Sequence, residues 1–185
     1  RLSIYEVSPI LIGQKKGMFE ESLMNETAFG MGAKWTGSKK AQHAVLDDEA
    51  WYATAQLRKL KDTAMNQLGT SGTGNHFVEW GSFRLDEEMF GLKSGEYLAL
   101  LSHSGSRGVG ARIAERFSKL AMEKHPDLDK SVRHLAWLSL DTEEGQEYWL
   151  SMELAGRFAS ANHNIIHKRV AAAVGLKEAA VVENH

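Results

Sequence analysis

The chain contains no cysteine, which excludes disulfide bonds, thiol catalysis and thiolate metal ligands within its 185 residues. It also lacks any apolar run approaching the roughly 18 residues that a membrane-spanning helix needs. A formal charge of −2 provides no global positive field, so contact with nucleic acid would require a local basic patch. The absence of cysteine fits a reducing compartment, and we expect a cytoplasmic protein that does not contact a membrane.

Internal repeats, low-complexity tracts and linkers rich in proline or serine are also absent from the sequence. Apolar residues make up 43% and charged residues 25%, which is typical of a globular protein with a buried core. We therefore expect residues 1–185 to form a single domain. The chain opens without methionine or a signal peptide and closes in a polar segment, so we also expect it to be the central part of a larger domain.

Hydrophobic periodicity predicts an α+β fold, with mixed or antiparallel sheets flanked by helices, because the strands and helices do not alternate regularly. Strands are predicted at residues 75–83 and 96–103, with short strands at 5–7 and 10–12. Helices are predicted at residues 47–68, 109–124 and 142–173. Asp141 and Glu144 resemble a capping box at the start of the last helix.

Two glycine-rich segments, residues 72–79 and 102–108, each set one histidine where an extended run meets a turn. Glycine lets the backbone bend tightly and approach a ligand closely. Neutral imidazole is a common ligand for zinc and manganese. An isolated histidine is more often a packed residue at a strand edge, but the tight polar turns beside these two histidines favour a role as metal ligands. The two segments together predict a metal and phosphate site built from loop ends.

Arg107 follows two serines and a glycine at the predicted strand-to-helix turn. Hydroxyl groups, a guanidinium and helix N-terminal N–H groups suit a phosphate. The alternative interpretation is an ordinary helix start with Ser106 as N-cap. A cation at a helix N-terminus opposes the helix dipole, so we expect Arg107 to have an anionic partner.

Two further sets of residues leave their interpretation open. His163 and His167 are four positions apart on the last predicted helix and could share a metal. Without the glutamate of an HExxH motif, we favour a polar contact surface for them. A basic stripe on the preceding helix could contact an RNA backbone or form a solvated face: Arg112, Arg116 and Lys119.

Three segments resemble signatures of the RtcB family of RNA ligases. Residues 69–79 (GTSGTGNHFVE) and 103–110 (HSGSRGVG) are similar to the two central signatures of that family. Residues 152–162 (MELAGRFASAN) are similar to the family's helix that ends in an Ala-Asn pair. The motifs occur in the family's order, and the resemblance covers residues 69–185 well and residues 1–68 loosely.

The resemblance implies a ligase that depends on GTP and Mn²⁺ and acts in RNA repair and tRNA splicing. Such an enzyme joins an RNA 3′-phosphate or 2′,3′-cyclic phosphate end to a 5′-hydroxyl end through guanylated intermediates. GTP and RNA would then be its partners, and an activator protein is a further candidate partner.

The resemblance also implies roles for particular residues of this chain. His76 and His103 correspond to manganese ligands, and His185 is a further candidate ligand. Arg107 would help to hold a substrate phosphate. The pocket for GMP would be lined by five consecutive residues: Asn75, His76, Phe77, Val78 and Glu79.

The chain departs from the family pattern in two ways. The family's Asp-x-x-Cys metal segment would precede residue 1, and the guanylated histidine would lie beyond residue 185. We therefore expect this chain to be incomplete as a ligase. Two alternatives from other functional classes remain, namely a metal-dependent phosphoesterase that uses the histidines and Glu79 to activate water, and a non-catalytic RNA-binding module.

Overall fold

The computed structural model describes residues 1–184, which fold into helices packed against an antiparallel sheet. The predicted α+β class is thereby confirmed. Short 3₁₀ turns lie at residues 37–39, 44–47, 49–52 and 133–135. The elements in chain order are β1 (Leu2–Tyr5), α1 (Ile10–Gln14), α2 (Lys16–Glu26), α3 (Ala55–Gln67), β2 (Phe77–Leu85), β3 (Gly95–His103), α4 (Arg107–Lys124), α5 (Glu143–Ala173) and β4 (Ala180–Val182).

The sheet has the strand order β2-β3-β1-β4, and every neighbouring pair is antiparallel. β2 and β3 form a hairpin whose tip carries Phe90 and Gly91, both with positive φ (58° and 74°). Two successive positive φ values are characteristic of the type I′ turn, which matches the twist of the flanking strands. At the opposite end of the hairpin, Phe77 pairs with His103, so the start of β2 and the end of β3 lie side by side.

The two faces of the sheet differ in burial. Val78 and Leu100 point toward the helices, where they pack with Phe19 of α2 and Val170 of α5. Alternate residues point to the other face, because successive side chains of a strand alternate. On that outer face His103, at the end of β3, is exposed. The strand alternation therefore leaves one end of the outer face open to a ligand.

Helix α5 crosses two hydrophobic clusters. In its first half, Leu154 and Phe158 pack against α3, α4 and the 3₁₀ turn that contains Trp51. In its second half, Ile166 and Val170 pack under the sheet. All of these side chains are buried, so α5 connects the helical part of the core to the part beneath the strands.

Several predicted boundaries need correction. The predicted strand at residues 10–12 is wrong, since these residues form α1; Pro9 precedes them with φ −63°, which suits a helix start. The helix predicted from residue 47 begins only at Ala55, after two 3₁₀ turns. Thr142, not Asp141, caps α5 by accepting a hydrogen bond from the Gly145 N–H at 3.1 Å. Helix α2 has no counterpart among the predicted elements.

Within residues 1–184, no helix combines the length and the apolar character that crossing a lipid bilayer requires.

Candidate metal and phosphate site

The hairpin register brings the two predicted histidines together. His76 precedes β2 by one residue, and His103 ends β3. Their ring centroids lie 5.7 Å apart, with the rings nearly perpendicular at 70°. Phe77 lies beside them, its ring centroid 6.0 Å from that of His103. Two imidazoles from different loops thus meet at the open end of the outer face.

His76 is held against a glycine. A Cβ built on Gly72 would overlap Nδ1 of His76 and come within 2.5 Å of Nη1 of Arg107, so only glycine fits there. Nδ1 of His76 is buried, and among residues 1–184 it has no hydrogen-bond partner. Burial, the positive charge of Arg107 and the nearby His103 lower the pKa of His76 below its ordinary value of 6.5. The ring is therefore neutral at pH 7 and retains a nitrogen lone pair for a ligand.

His103 is oriented by Asn75. The amide nitrogen Nδ2 of Asn75 lies 3.3 Å from Nε2 of His103. An amide NH₂ group can only donate, so Nε2 of His103 must accept and carries no proton. The lone pair that accepts this hydrogen bond is the same one that a metal ion would use.

Arg107 opens helix α4 with a left-handed backbone conformation, φ 54°. Its Nε donates to Oγ1 of Thr70 at 3.0 Å, and its Nη2 donates to the carbonyl oxygen of Gly30 at 3.1 Å. Within the described residues no carboxylate forms an ion pair with Arg107, so the expected anionic partner stays a prediction. The positive charge is thus fixed by neutral oxygens and remains available for an anion.

A cavity of about 410 Å³ adjoins His76 and Arg107. Its lining also includes Thr73 and Ser106. Ser106 occupies the N-cap position of α4, as the alternative interpretation predicted, but its hydroxyl accepts no hydrogen bond from the described backbone amides of the helix. A second cavity of about 660 Å³ lies along Ser104, Gly105 and Ser106 and reaches His103. The turn of residues 104–106 therefore separates two cavities that both adjoin a histidine.

Asn162 ties to α5 both residues 69–70, just before the first glycine-rich segment, and Gly105 of the second segment. Its Oδ1 accepts hydrogen bonds from the N–H groups of Gly69 at 2.7 Å and Thr70 at 3.2 Å. Its Nδ2 lies 3.0 Å from the carbonyl oxygen of Thr70 and 3.2 Å from that of Gly105. The side chain is completely buried, as expected from its position on the apolar side of the helix.

His163 and His167 are buried, at 4% and 1% exposure, so the predicted polar contact surface is wrong. They point from α5 toward the end of β3, where His163 accepts from the Ser104 N–H and His167 contacts Ser102. The signal was in the sequence, since His163 lies three positions before Ile166 and His167 three positions before Val170 on the apolar stripe. Their polarity concealed that they belong to the buried face.

The predicted GMP pocket divides between the two faces of β2. Phe77 and Glu79 are exposed on the outer face that also carries His103. Val78 is 7% exposed and packs in the core beneath the sheet. A contact between Val78 and a nucleotide on the outer face could therefore be made only through its backbone.

The basic stripe of α4 is largely engaged by acids. Arg116 donates to both carboxylate oxygens of Glu147, at 2.7 and 3.1 Å. Lys119 lies 3.9 Å from Glu123 one helical turn away. These pairs favour the solvated-face interpretation over a continuous surface for RNA.

The residues present fit part of a metal site. His76 and His103 supply two neighbouring imidazoles, and the buried Nδ1 of His76 is unsatisfied within residues 1–184. The described part of the chain contains no group of three or more metal-ligating side chains close enough to hold an ion. His185, the further candidate ligand, lies outside the described residues.

Residues 3–183 match the family model described as tRNA-splicing ligase RtcB. The chain belongs to the RtcB family. It is 36% identical over 142 residues to the tRNA-splicing ligase RtcB of Nanoarchaeum equitans, covering 74% of this chain and 29% of that protein. It is 34% identical over 125 residues to the corresponding protein of Thermococcus kodakarensis, covering 60% and 24%. The aligned region thus spans less than a third of the RtcB relatives.

Proposed function

We propose that the protein acts as an RNA ligase that depends on GTP and Mn²⁺. It would join RNA ends carrying a 3′-phosphate or a 2′,3′-cyclic phosphate to 5′-hydroxyl ends, through guanylated intermediates. The observation that carries this proposal is the meeting of His76 and His103, with ring centroids 5.7 Å apart, beside a cavity that Arg107 lines. Membership of a family whose curated members are named tRNA-splicing ligases supports the reaction class.

In this proposal, His76 and His103 hold the manganese ion through neutral ring nitrogens. A bound divalent cation would neutralise phosphoryl charge and orient the oxygen atoms that react. The lowered pKa of His76 keeps its imidazole in the form that can bind a metal.

Arg107 would bind the substrate phosphate. Two of its five N–H groups donate to Thr70 and Gly30, which fixes the plane of the guanidinium before any substrate arrives. A preoriented guanidinium loses little side-chain entropy when it binds a phosphate. Phe77 and Glu79, on the same outer face as His103, would contact the guanosine nucleotide.

The topology suggests where further ligands would enter. Leu2 pairs with both Leu101 and Val182, so β1 and β4 meet at the end of the sheet where His103 lies. Sequence preceding β1 or following β4 would therefore start close to the site. We propose that the ligands needed beyond His76 and His103 come from such sequence, in which His185 is the first candidate.

The proposal is tested by measuring Mn²⁺ binding and RNA joining with the complete protein. Substitution His103→Ala should weaken Mn²⁺ binding by about tenfold or more, since a missing ligand costs at least as much as a missing supporting group. RNA bearing 3′-phosphate and 5′-hydroxyl ends, with GTP and Mn²⁺, should be joined by the wild type and not by this variant. His134→Ala removes an exposed imidazole and serves as the matched control.

Equal Mn²⁺ affinity in the wild type and in the double variant His76→Ala/His103→Ala would disprove the proposed metal site. Hydrolysis of phosphate esters without any guanylated adduct would instead support the metal-dependent phosphoesterase. Binding of RNA that needs neither metal nor GTP would support the non-catalytic module.

A further inference from the structure

Helix α5 contacts the chain on both sides of His103. Before it, the Ser102 hydroxyl lies 2.8 Å from Nε2 of His167. After it, the Ser104 N–H donates to Nε2 of His163 at 3.0 Å. His163 and His167 are one helical turn apart, so one face of α5 holds the residues that precede and follow His103.

The hydrogen bonds around His167 define its protonation. Ser3 donates its hydroxyl proton to Oε2 of Glu178 at 2.7 Å, and Glu178 forms an ion pair with Arg1 at 3.0 Å. Ser3 must therefore accept at its oxygen from Nδ1–H of His167, at 2.8 Å. Nε2 of His167 is then unprotonated and accepts from the Ser102 hydroxyl.

The inner part of this chain of hydrogen bonds is inaccessible to water, whereas the Glu178 side chain at its end is 32% exposed. His167 is 1% exposed, Ser3 is fully buried and Ser102 is 2% exposed. Buried polar groups that lose their partners are costly, so each bond restricts the others to one arrangement. The backbone of Ser102 is thereby fixed against both β1 and α5, immediately before His103.

We propose that His163 and His167 are positioning residues for His103. They fix the backbone at the end of β3, which aims the exposed His103 ring at Asn75 and His76. His103 lies where the strand turns into residues 104–106, and its own side chain is exposed, so its direction depends on the backbone that carries it. Only the part of the test that measures manganese binding rests on the proposed metal-binding function.

The first arm of the test measures manganese binding by the complete protein. His167→Met removes both hydrogen bonds while filling a similar volume, and we expect it to lower Mn²⁺ affinity by about tenfold or more. The electron paramagnetic resonance spectrum of bound Mn²⁺ should change, because the His103 nitrogen is misplaced. His167→Gln keeps a donor and an acceptor and should restore affinity to within about threefold of the wild type. His163→Leu, which removes the acceptor for the Ser104 N–H, should behave like His167→Met.

Ser22→Ala is the matched control for general destabilisation. Ser22 is 2% exposed and links α2 to β2, accepting from Nε1 of Trp80 at 3.1 Å. Trp80 pairs with Leu100, three residues before His103, and Ser22 has no hydrogen bond to residues 102–104 among the described residues. The Ser22→Ala variant should be less stable, but its Mn²⁺ affinity and the electron paramagnetic resonance spectrum of its bound Mn²⁺ should be unchanged. An equal loss of affinity in Ser22→Ala and His167→Met would overturn the proposal, because the effect would then be nonspecific.

The second arm needs no metal and separates this inference from the proposed function. In the metal-free protein, the imidazole NMR resonances of His103 should shift or broaden in His167→Met. They should be unchanged in Ser22→Ala. Unchanged His103 resonances would overturn the positioning role, even if His103→Ala abolishes Mn²⁺ binding. Changed resonances in a protein that binds no Mn²⁺ would support the positioning role while disproving the proposed metal site.

Discussion

At the scale of single residues, Gly72 controls the position of His76. Any side chain at residue 72 would overlap Nδ1 of His76 and crowd Nη1 of Arg107. These are the two groups that line the same cavity from opposite loops. A residue with no chemistry of its own therefore sets the distance between a candidate metal ligand and a candidate phosphate ligand.

We expect Gly72→Ala to reduce Mn²⁺ affinity by about tenfold or more, because the added Cβ displaces the His76 ring. Isothermal titration calorimetry of the complete protein would measure this. Gly81→Ala is the control, since a Cβ on Gly81 meets no described atom within 4 Å. Wild-type affinity in Gly72→Ala would show that the His76 ring does not need its present position.

The residue types along the sequence predicted the two histidine-containing turns of the site, but not the side chains from distant parts of the chain that contact them. Glycine-rich turns beside His76 and His103 are visible in the sequence because each lies within a few residues of its histidine. The contact of Asn75 with His103 depends on the pairing of β2 with β3, and that of His167 with Ser3 spans 164 residues. Such contacts follow from topology, which no short window of sequence contains.

At the scale of secondary structure, α5 supports the site through Asn162. This one side chain accepts from the N–H groups of Gly69 and Thr70, just before the first glycine-rich segment, and donates to the carbonyl groups of Thr70 and Gly105. Asn162 thus substitutes for the regular hydrogen bonds that irregular loops lack.

Asn162→Ala should lower the free energy of unfolding by about 2–4 kcal/mol, because several buried backbone groups lose their partner at once. Urea unfolding followed by circular dichroism would measure the loss. Lys168→Ala, an exposed substitution on the same helix, should change stability by less than about 0.5 kcal/mol. A similar small effect of Asn162→Ala would mean that water replaces its hydrogen bonds.

The type of secondary structure was predictable where the hydrophobic pattern extended over many residues. The 31 residues of α5 and the 18 of α4 gave clear helical patterns, and their observed limits agree with those patterns within two residues. The apolar run at residues 10–12 misled, because three consecutive branched or apolar residues fit a strand as well as a helical turn. Here Pro9 and the short connection to α2 decide for the helix.

At the scale of the whole molecule, the buried network around His167 makes stability depend on pH. Burial, with a smaller contribution from the positive charge of Arg1, lowers the pKa of His167 from 6.5 to about 2. The unfolded chain therefore binds a proton that the folded chain excludes. Between about pH 6.5 and pH 2, stability should fall as the pH falls.

His167 alone should contribute a slope of about 1.4 kcal/mol per pH unit in this range. Urea unfolding of the wild type at pH 7.5, 6 and 5 would measure it. His167→Met should be less stable at pH 7.5 yet lose less on acidification, whereas the exposed control His134→Gln should keep the wild-type slope. Parallel curves for wild type and His167→Met would show that protonation of His167 is not linked to unfolding.

The fold class followed from the sequence, but the order of the strands did not. A hairpin of β2 and β3 is a local structure, and the sequence indicated both strands. β1 and β4 are four and three residues long, and they pair from opposite ends of the described chain. Strands so short and so distant carry too little periodicity to reveal their partners.

The pairing of β1 with β4 has a consequence during synthesis on the ribosome. β1 can join β3 once the roughly 100 residues that follow β1 have emerged, but its other edge must wait for β4. At about 5–20 residues per second, the roughly 175 residues between the two strands take about 9–35 s to translate. An unpaired strand edge is a template for pairing with other chains. We expect the nascent chain to be most prone to aggregation in that interval, before β4 is made.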